Sequence, residues 1–93
     1  MNLRLKDTGS NQARVSILTG QGAYHFHFSY ETCIAFQRPG ETLRVCENVW
    51  SNTTGHHLSK LDGGSRKTRI KATNFGNMLD NAFDAIALDV RMV

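Results

Sequence analysis

Residues 24–30, Tyr-His-Phe-His-Phe-Ser-Tyr, decide the fold of this 93-residue chain. Aromatic residues alternate there with His25, His27 and Ser29. Successive side chains of a β-strand point to opposite faces, so this period of two predicts a strand with one aromatic and one polar face. The aromatic face comprises Tyr24, Phe26, Phe28 and Tyr30. We expect these four rings to supply much of a small core.

Further strands are predicted on both sides of this stretch. Residues 2–6 and 13–18 have the apolar content of two strands, and residues 7–12 between them have the composition of a turn. Gly20-Gln21-Gly22 then suits a hairpin turn that needs positive φ. The chain before residue 31 therefore predicts three consecutive antiparallel strands.

Residues 32–46 predict a further hairpin around Arg38-Pro39-Gly40-Glu41, because Pro presets φ and Gly supplies positive φ. This turn sets a register whose facing pairs are Ile34 with Val45, Phe36 with Leu43, and Cys33 with Cys46. We expect the two cysteines to be free thiols, because no export signal precedes them, with a disulfide as the alternative. A catalytic cysteine–histidine pair is disfavoured, since nothing fixes a third, orienting group.

The second half of the chain predicts two helices. Residues 51–54 offer several N-caps for a short helix over 55–61, and Asp62-Gly63-Gly64 ends it. Residues 68–71 predict a short extended piece or a loop. Thr73 or Asn74 then caps a long amphipathic helix. Its apolar stripe comprises Phe75, Met78, Leu79, Ala82, Phe83, Ile86 and Val90.

This order predicts an α+β fold, with four to five antiparallel strands, one short helix, and a C-terminal amphipathic helix packed on one face of the sheet. We expect a single domain over residues 1–93, β-rich over 1–50 and mainly helical over 51–93, with a basic loop over 62–71. The length excludes two-domain enzymes, dinucleotide-binding dehydrogenases and P-loop motors. With no run of 18 apolar residues, we expect no contact with a membrane.

The net charge of +3 is unevenly distributed. Residues 72–93 carry a net charge of −2, whereas residues 60–71 carry +4. The basic side chains of residues 60–71 are Lys60, Arg66, Lys67, Arg69 and Lys71. Such a segment suits phosphates or an acidic protein surface, although charge runs are more often simply solvated. No aromatic residue falls between Trp50 and Phe75, which weakens base stacking as a binding mode.

The histidines raise the alternative of a metal site. His25 and His27 share one strand face, and with His57 they would make an open three-imidazole zinc site. No Cys-x-x-Cys motif and no suitably spaced Glu completes a strong signature. We therefore expect no metal and no cofactor, and these histidines are expected to face solvent or line a pocket on the outer face of the sheet. No pair of carboxylates predicts hydrolytic chemistry either.

A lone tryptophan, Trp50, precedes the predicted start of the short helix. One interpretation buries it as a hydrophobic staple against that helix. The other is a recognition surface built from helix N-terminal N–H groups and side chains, which would favour anions. The side chains of that surface are Trp50, Ser51, Thr53, Thr54 and His57.

Two short segments carry a family resemblance. Ser29-Tyr30-Glu31-Thr32, followed by Ile34-Ala35, and, further on, residues 50–58 resemble a small-protein family carried by bacteriophages and archaeal viruses. That family's pattern is a Ser-Tyr-x-Thr start of a hairpin followed by Ser-x-Thr-Thr-(Ser/Gly)-Lys-His. The matching positions are Ser29, Tyr30, Thr32, Ser51, Thr53, Thr54, Gly55 and His57. This chain departs at His56, where the pattern has Lys, and at Ser59, where it has Asn, and the lost Lys weakens a phosphate-binding role for the motif.

The resemblance implies a virus or prophage protein that acts in the host cytoplasm, and proteins of this size often act by binding. We therefore expect a non-enzymatic inhibitor of host defence, similar to anti-CRISPR proteins, that masks a host protein or nucleoprotein complex. Its binding face would comprise His25, His27, Arg44 and the basic loop. The alternative is a DNA- or RNA-binding accessory protein that uses residues 60–71. Formation of a homodimer is a further alternative.

Overall fold

The protein is an α+β domain with a five-stranded antiparallel sheet and two α-helices, as the sequence predicts. The computed structural model describes the backbone of residues 2–9 and 11–91, and the side chains of residue 5 and residues 11–89. The strands are β1 (Asn2–Gly9), β2 (Gln12–Thr19), β3 (Gly22–Ser29), β4 (Thr32–Gln37) and β5 (Arg44–Val45). They lie side by side in chain order. The helices are α1 (Asn52–Asp62), the short 3-10 helix η1 (Arg66–Thr68) and α2 (Ala72–Arg91).

The aromatic face of β3 forms the centre of the core. Tyr24 and Phe26 are buried, and Phe28 packs against them from the edge of the cluster. Tyr30 departs from the prediction, because the chain has already left the strand: its φ is 55° and its side chain is 55% exposed. The strands β1 and β2 are also longer than predicted and take in most of the expected turn over residues 7–12.

A β-bulge in β4 changes the predicted register of the 32–46 hairpin. Ala35 pairs with His27, and Cys33 pairs with Phe28, which leaves Ile34 as the extra residue. As a result Ile34 and Ala35 pack together in one cluster, whereas the next residue in β4, Phe36, packs in the other cluster. On the far side of β4 the observed pairs are Ala35 with Val45 and Phe36 with Arg44. The predicted pairings of Ile34 with Val45, Phe36 with Leu43 and Cys33 with Cys46 are wrong by one residue.

Helix α2 packs on the aromatic face of the sheet. Phe75, Ala82 and Ile86 are buried there, and the ring of Phe75 meets that of Phe36 edge-on at 5.5 Å between centroids. Phe83 stacks on Phe26 at 5.0 Å, although 44% of its surface stays exposed. Met78 and Leu79 pack at the edge of the same core. The predicted stripe is confirmed up to residue 86, and the side chain of Val90 lies outside the described residues.

The start of α2 differs from the prediction. The helix begins at Ala72, so Thr73 and Asn74 lie inside its first turn and do not cap it. The N–H of Ala72 donates to the carboxylate of Glu47 at 2.7 Å. Glu47 also donates its own N–H to the carbonyl of Ile70, which follows η1 and bridges to Cys46. A carboxylate from outside the helix thus satisfies one of its free N–H groups and favours the positive end of its dipole.

Helix α1 covers part of the opposite face of the sheet. Leu58 is fully buried against Ile34, Ala35 and Val45, and Leu61 packs at the edge of this second cluster. Helix α1 begins three residues before the predicted stretch 55–61, because the first of the four N-cap candidates is the one used, whereas its end at Gly63 agrees with the prediction. Ser51 is the N-cap, and its side chain accepts a hydrogen bond from Thr54 N–H, while Gly63 ends the helix in the left-handed conformation at φ 67°.

Candidate functional site

A buried polar cluster joins the end of β3 to the first turns of α1. The Oγ of Ser29 lies 2.7 Å from Nδ1 of His57 and 3.1 Å from Oγ1 of Thr54. All three residues are buried, with 2%, 6% and 5% of their surface exposed. The N-cap hydroxyl of Ser51 donates to Thr54 Oγ1 at 3.3 Å and so extends the chain of hydrogen bonds. We call these four residues, Ser29, Ser51, Thr54 and His57, the Ser29 cluster.

Local sequence explains why these groups meet. Thr54 and His57 are three residues apart in α1, so they share one face of the helix, which Leu58 continues. Ser29 is the last residue of β3, and the alternation of the strand puts it on the face opposite Phe28. Burial lowers the pKa of His57, and electrostatic repulsion from the neighbouring Lys60 and His56 lowers it further. His57 is therefore neutral at pH 7, and its hydrogen bond with Ser29 holds α1 to the sheet.

The Ser29 cluster does not resemble a nucleophilic site. Ser29 is only 2% exposed, so a substrate has no path to its hydroxyl. Its partners in the structure are a histidine and a threonine, with no carboxylate to orient the imidazole. The predicted recognition surface also changes, because Thr54 and His57 face inward while Thr53 and Trp50 are exposed. Trp50 is 41% exposed, so the interpretation as a buried staple is wrong.

An open polar groove of about 680 Å³ runs along the outer side of α1. Three parts of the chain form its walls: helix α1, residues 47–48 before α1, and the segment from Arg66 to Arg69 that contains η1. The lining residues are Glu47, Asn48, Asn52, Gly55, His56, Ser59, Arg66 and Arg69. Two amides, a hydroxyl, an imidazole, two guanidinium groups and a carboxylate thus line one concave surface. We call it the α1 groove.

The close approach of Asn48 to α1 depends on Gly55. A Cβ atom at Gly55 would lie 2.9 Å from Nδ2 of Asn48, closer than the two atoms can pack. Nδ2 donates to the carbonyl of Ser51 at 3.0 Å, and Oδ1 accepts from the N–H of Trp50 at 3.0 Å. Sequence reasoning missed Asn48 and Glu47. An Asn two residues before Trp50 is a known turn signal, but the role of Glu47 depends on a contact 25 residues away.

The structure divides the predicted basic residues into two groups. Arg69 is bound to Asp62 through Nε–Oδ2 and Nη2–Oδ1 contacts of 2.7 and 3.1 Å, and the two side chains are only 6% and 8% exposed. This hydrogen-bonded pair lowers the pKa of Asp62 and raises that of Arg69. Arg69 therefore closes the loop onto α1 and does not belong to a free cationic surface. The exposed cations are Lys60, Arg66, Lys67 and Lys71.

The binding face predicted on the sheet is not a single face. His25 and His27 alternate with the buried rings of β3, and His25 Nδ1 lies 2.7 Å from Ser16 Oγ. Arg44, by contrast, pairs with Phe36 and lies on the α2 side, where it contacts Met78 and forms a 2.8 Å ion pair with Glu41. The three residues therefore do not form one surface. Burial, with Arg14 nearby, lowers the pKa of His27.

Neither metal nor thiol chemistry is supported by this arrangement. His57 is hydrogen-bonded to Ser29, so it does not join His25 and His27 in the three-imidazole site. Within the described residues no three His, Cys, Asp or Glu side chains lie close enough together to hold a metal ion. Cys33 and Cys46 are free. Burial raises the pKa of Cys33 to about 12 and that of Cys46 to about 11. Both therefore carry their protons at neutral pH, where a thiol is a poor nucleophile.

The fold and the site together define a small α+β protein. Its helix α1 is held to the sheet by buried hydrogen bonds, and a polar groove lies beside α1, which together with the loop after it carries exposed cations. Residues 3–77 match the model of a family of unknown function, DUF8033, and the chain belongs to that family. The matched region contains the Ser29 cluster and the α1 groove. No curated protein and no solved structure gives a match to this chain. Among the described residues, neither helix has an apolar stretch long enough to cross a membrane.

Proposed function

We propose that this protein is a non-enzymatic binding protein that holds the phosphate backbone of a nucleic acid against α1 and the 62–71 loop. The observation that carries the proposal is the group of exposed cations on α1 and the 62–71 loop, the two segments that supply most of the residues lining the polar groove. Arg66 lines the groove directly, and Lys60, Lys67 and Lys71 are exposed on the same two segments. Most hydrogen bonds between proteins and DNA go to phosphate and sugar oxygens, and side chains of these types make them.

The nearby carboxylates support this proposal because each is already bound within the protein. Asp62 is paired with Arg69, and Glu47 accepts the N–H of Ala72. The charge of Asp62 is therefore balanced by the guanidinium of Arg69, whereas Glu47 keeps its negative charge and directs its carboxylate to the N-terminus of α2. The amides of Asn48 and Asn52 add neutral donors beside Arg66.

The resemblance of the sequence to a viral family gives the expected setting, a phage or prophage protein in the host cytoplasm, and we retain that setting as part of the proposal. The function favoured from the sequence alone is to mask a host-defence protein in the manner of anti-CRISPR proteins. That function would use the same cations against an acidic protein surface. The polar groove, with Arg66 and the amides of Asn48 and Asn52 in its lining, favours nucleic acid as the partner in our proposal.

Two double variants that are matched in net charge test the proposal. Arg66→Gln with Lys67→Gln removes two cations from the proposed binding surface, and Arg38→Gln with Arg44→Gln removes two from the β4–β5 hairpin, where both side chains pair with Glu41. The two double variants have the same net charge. Fluorescence anisotropy with a labelled 20-nucleotide DNA, at 50 to 300 mM salt, measures the affinity and its salt dependence.

We expect the Arg66/Lys67 variant to bind about tenfold more weakly at 100 mM salt and to lower the slope of log affinity against log salt by about 1.4, since each phosphate contact on a single strand contributes about 0.7. The Arg38/Arg44 variant should stay within about twofold of the parent. Equal losses in both variants would mean that net charge alone drives binding. Absence of binding at 50 mM salt would also overturn the proposal, and would leave an acidic protein surface as the partner of these cations.

A further inference from the structure

Two exposed aromatic side chains flank the Ser29 cluster. Tyr30 is 55% exposed and Trp50 is 41% exposed. Tyr30 directly follows Ser29, and Trp50 directly precedes Ser51. Oγ1 of Thr54 lies 3.1 Å from Oγ of Ser29 and 3.3 Å from Oγ of Ser51. The fold therefore brings to one place two aromatic residues that are 20 positions apart in the sequence.

Tyr30 is held in a fixed and unfavourable backbone conformation. Its φ of 55° lies in the left-handed region, which non-glycine residues seldom adopt. The N–H of Tyr30 donates to the carbonyl of Asn11 at 2.7 Å, and its ring centroid lies 6.1 Å from that of His57. Strain of this kind persists only where the surrounding structure enforces it. The result is an exposed phenol ring with a defined position beside α1.

Trp50 is also held by hydrogen bonds, in the segment that directly precedes α1. Asn48 accepts the N–H of Trp50 and donates to the carbonyl of Ser51, so one side chain fixes the backbone on both sides of the tryptophan. Asn48 and Asn52, two residues before and two after Trp50, both line the groove. Arg66 lines the same groove. The exposed indole therefore stands in the chain between two residues that line the same groove as the guanidinium of Arg66.

We propose that the nucleic acid bound by this protein is single-stranded, and that its bases stack on Trp50 and Tyr30 while its phosphates meet the cations around the α1 groove. This inference rests on the proposed function. Single strands expose base faces, and aromatic side chains combined with a cationic groove are the usual means of binding them without sequence preference. In a duplex the base faces are already stacked on one another, so the two rings have nothing to cover. The absence of aromatic residues between Trp50 and Phe75 does not reveal this arrangement, because Tyr30 comes from the turn after β3, 20 positions before Trp50.

Trp50 is the only tryptophan of the chain, so its fluorescence reports directly on stacking. The probe is a 12-nucleotide oligodeoxythymidylate, compared with the same strand paired to its complement, at 50 mM salt. We expect the single strand to quench Trp50 emission and to bind about tenfold more tightly than the duplex. In anisotropy titrations with the labelled single strand, Trp50→Ala and Tyr30→Ala should each lower the affinity by about tenfold.

Tyr30→Phe is the matched control, because it keeps the ring and removes only the hydroxyl. It should bind within about twofold of the parent. Trp50→Ala also keeps the test decisive if the strained position of Tyr30 makes Tyr30→Ala unstable in thermal melts. Binding of the single strand without quenching, and without loss in Trp50→Ala, would overturn the stacking inference and leave the proposed function intact. Equal affinity for the duplex would overturn it as well, whereas absence of binding to either probe would overturn both proposals.

Discussion

The two helices of this protein are attached to the same sheet by different physical means. Helix α2 lies on the aromatic face and contributes Phe75, Ala82 and Ile86 to the core. Helix α1 lies on the other face, where it contributes Leu58 but also two buried polar residues, Thr54 and His57. A buried ion pair between Asp62 and Arg69 adds a second polar attachment at its C-terminal end.

The two kinds of attachment differ more in how they fix the orientation of the helix than in how much they stabilise it. Burial of apolar surface stabilises contact without fixing an angle, so an apolar helix tolerates small shifts on its sheet. Hydrogen bonds weaken steeply when their geometry changes, so Ser29 and His57 restrict where α1 can lie. The α1 groove is built on the outer side of this helix. A polar attachment on the inner side therefore fixes the position of the proposed binding surface.

The largest expected effect on stability tests the apolar attachment of α2. Phe75→Ala should lower the free energy of unfolding by about 3–5 kcal/mol, because the ring is 4% exposed and packs on Phe36. Urea unfolding followed by circular dichroism measures it.

Phe83→Ala is the matched control on the same helix. It removes the same ring from a position that is 44% exposed, so its cost should be less than half as large. Equal losses from the two substitutions would show that the depth of burial does not determine how α2 is held.

A smaller effect is expected at the buried ion pair. Arg69→Met leaves Asp62 without its partner and should cost about 2–3 kcal/mol, since an unpaired buried carboxylate loses its charge-assisted hydrogen bonds. Replacing both residues, Arg69→Met with Asp62→Leu, should recover most of that loss. Urea unfolding again gives the measurement.

Arg38→Met provides the surface comparison. Arg38 faces Glu41 at 3.7 Å with both side chains about one-third exposed, at 32% and 39%, so its removal should cost less than about 0.5 kcal/mol. A loss from Arg69→Met as small as this would mean that the Asp62 pair does not anchor α1.

The features that follow from local sequence were predicted correctly. The alternation around Phe26 predicts the buried face of β3, and Ser51 and Gly63 predict both ends of α1. The spacing of Phe75, Ala82 and Ile86 predicts the docked face of α2. In each case the residues that carry the signal lie within a few positions of the feature, so a periodic pattern or a cap is sufficient.

The features that depend on contacts between distant segments were not predicted. The bulge at Ile34 is a property of the pairing between β3 and β4, and no residue of β4 alone reveals it. Glu47 caps a helix that begins 25 residues later. Ser29 was assigned to an outer polar face, because its partner His57 lies 28 residues away and the alternation carries no information on what covers that face.

The smallest effect tests the polar attachment of α1 through pH. Burial, then Lys60 and His56, lower the pKa of His57 below its usual 6.5, whereas in the unfolded chain the imidazole keeps its usual value. Between those two pKa values the unfolded chain binds more protons, so stability falls as the pH decreases below about 6.5, by no more than about 1.4 kcal/mol per pH unit for this one group. His27 has a lowered pKa too and acts in the same direction.

The variant His57→Asn isolates the contribution of His57. An amide reaches the position of Nδ1 and keeps a hydrogen bond to Ser29, but it does not titrate. We expect the free energy of unfolding of the parent to decrease more than that of His57→Asn between pH 7.5 and pH 5.5, with His27 responsible for the decrease that both proteins share. Identical pH dependence in the two proteins would contradict the burial of a neutral His57 in the Ser29 cluster. A steeper dependence in the parent would show that α1, unlike α2, is held by a group whose charge must be absent.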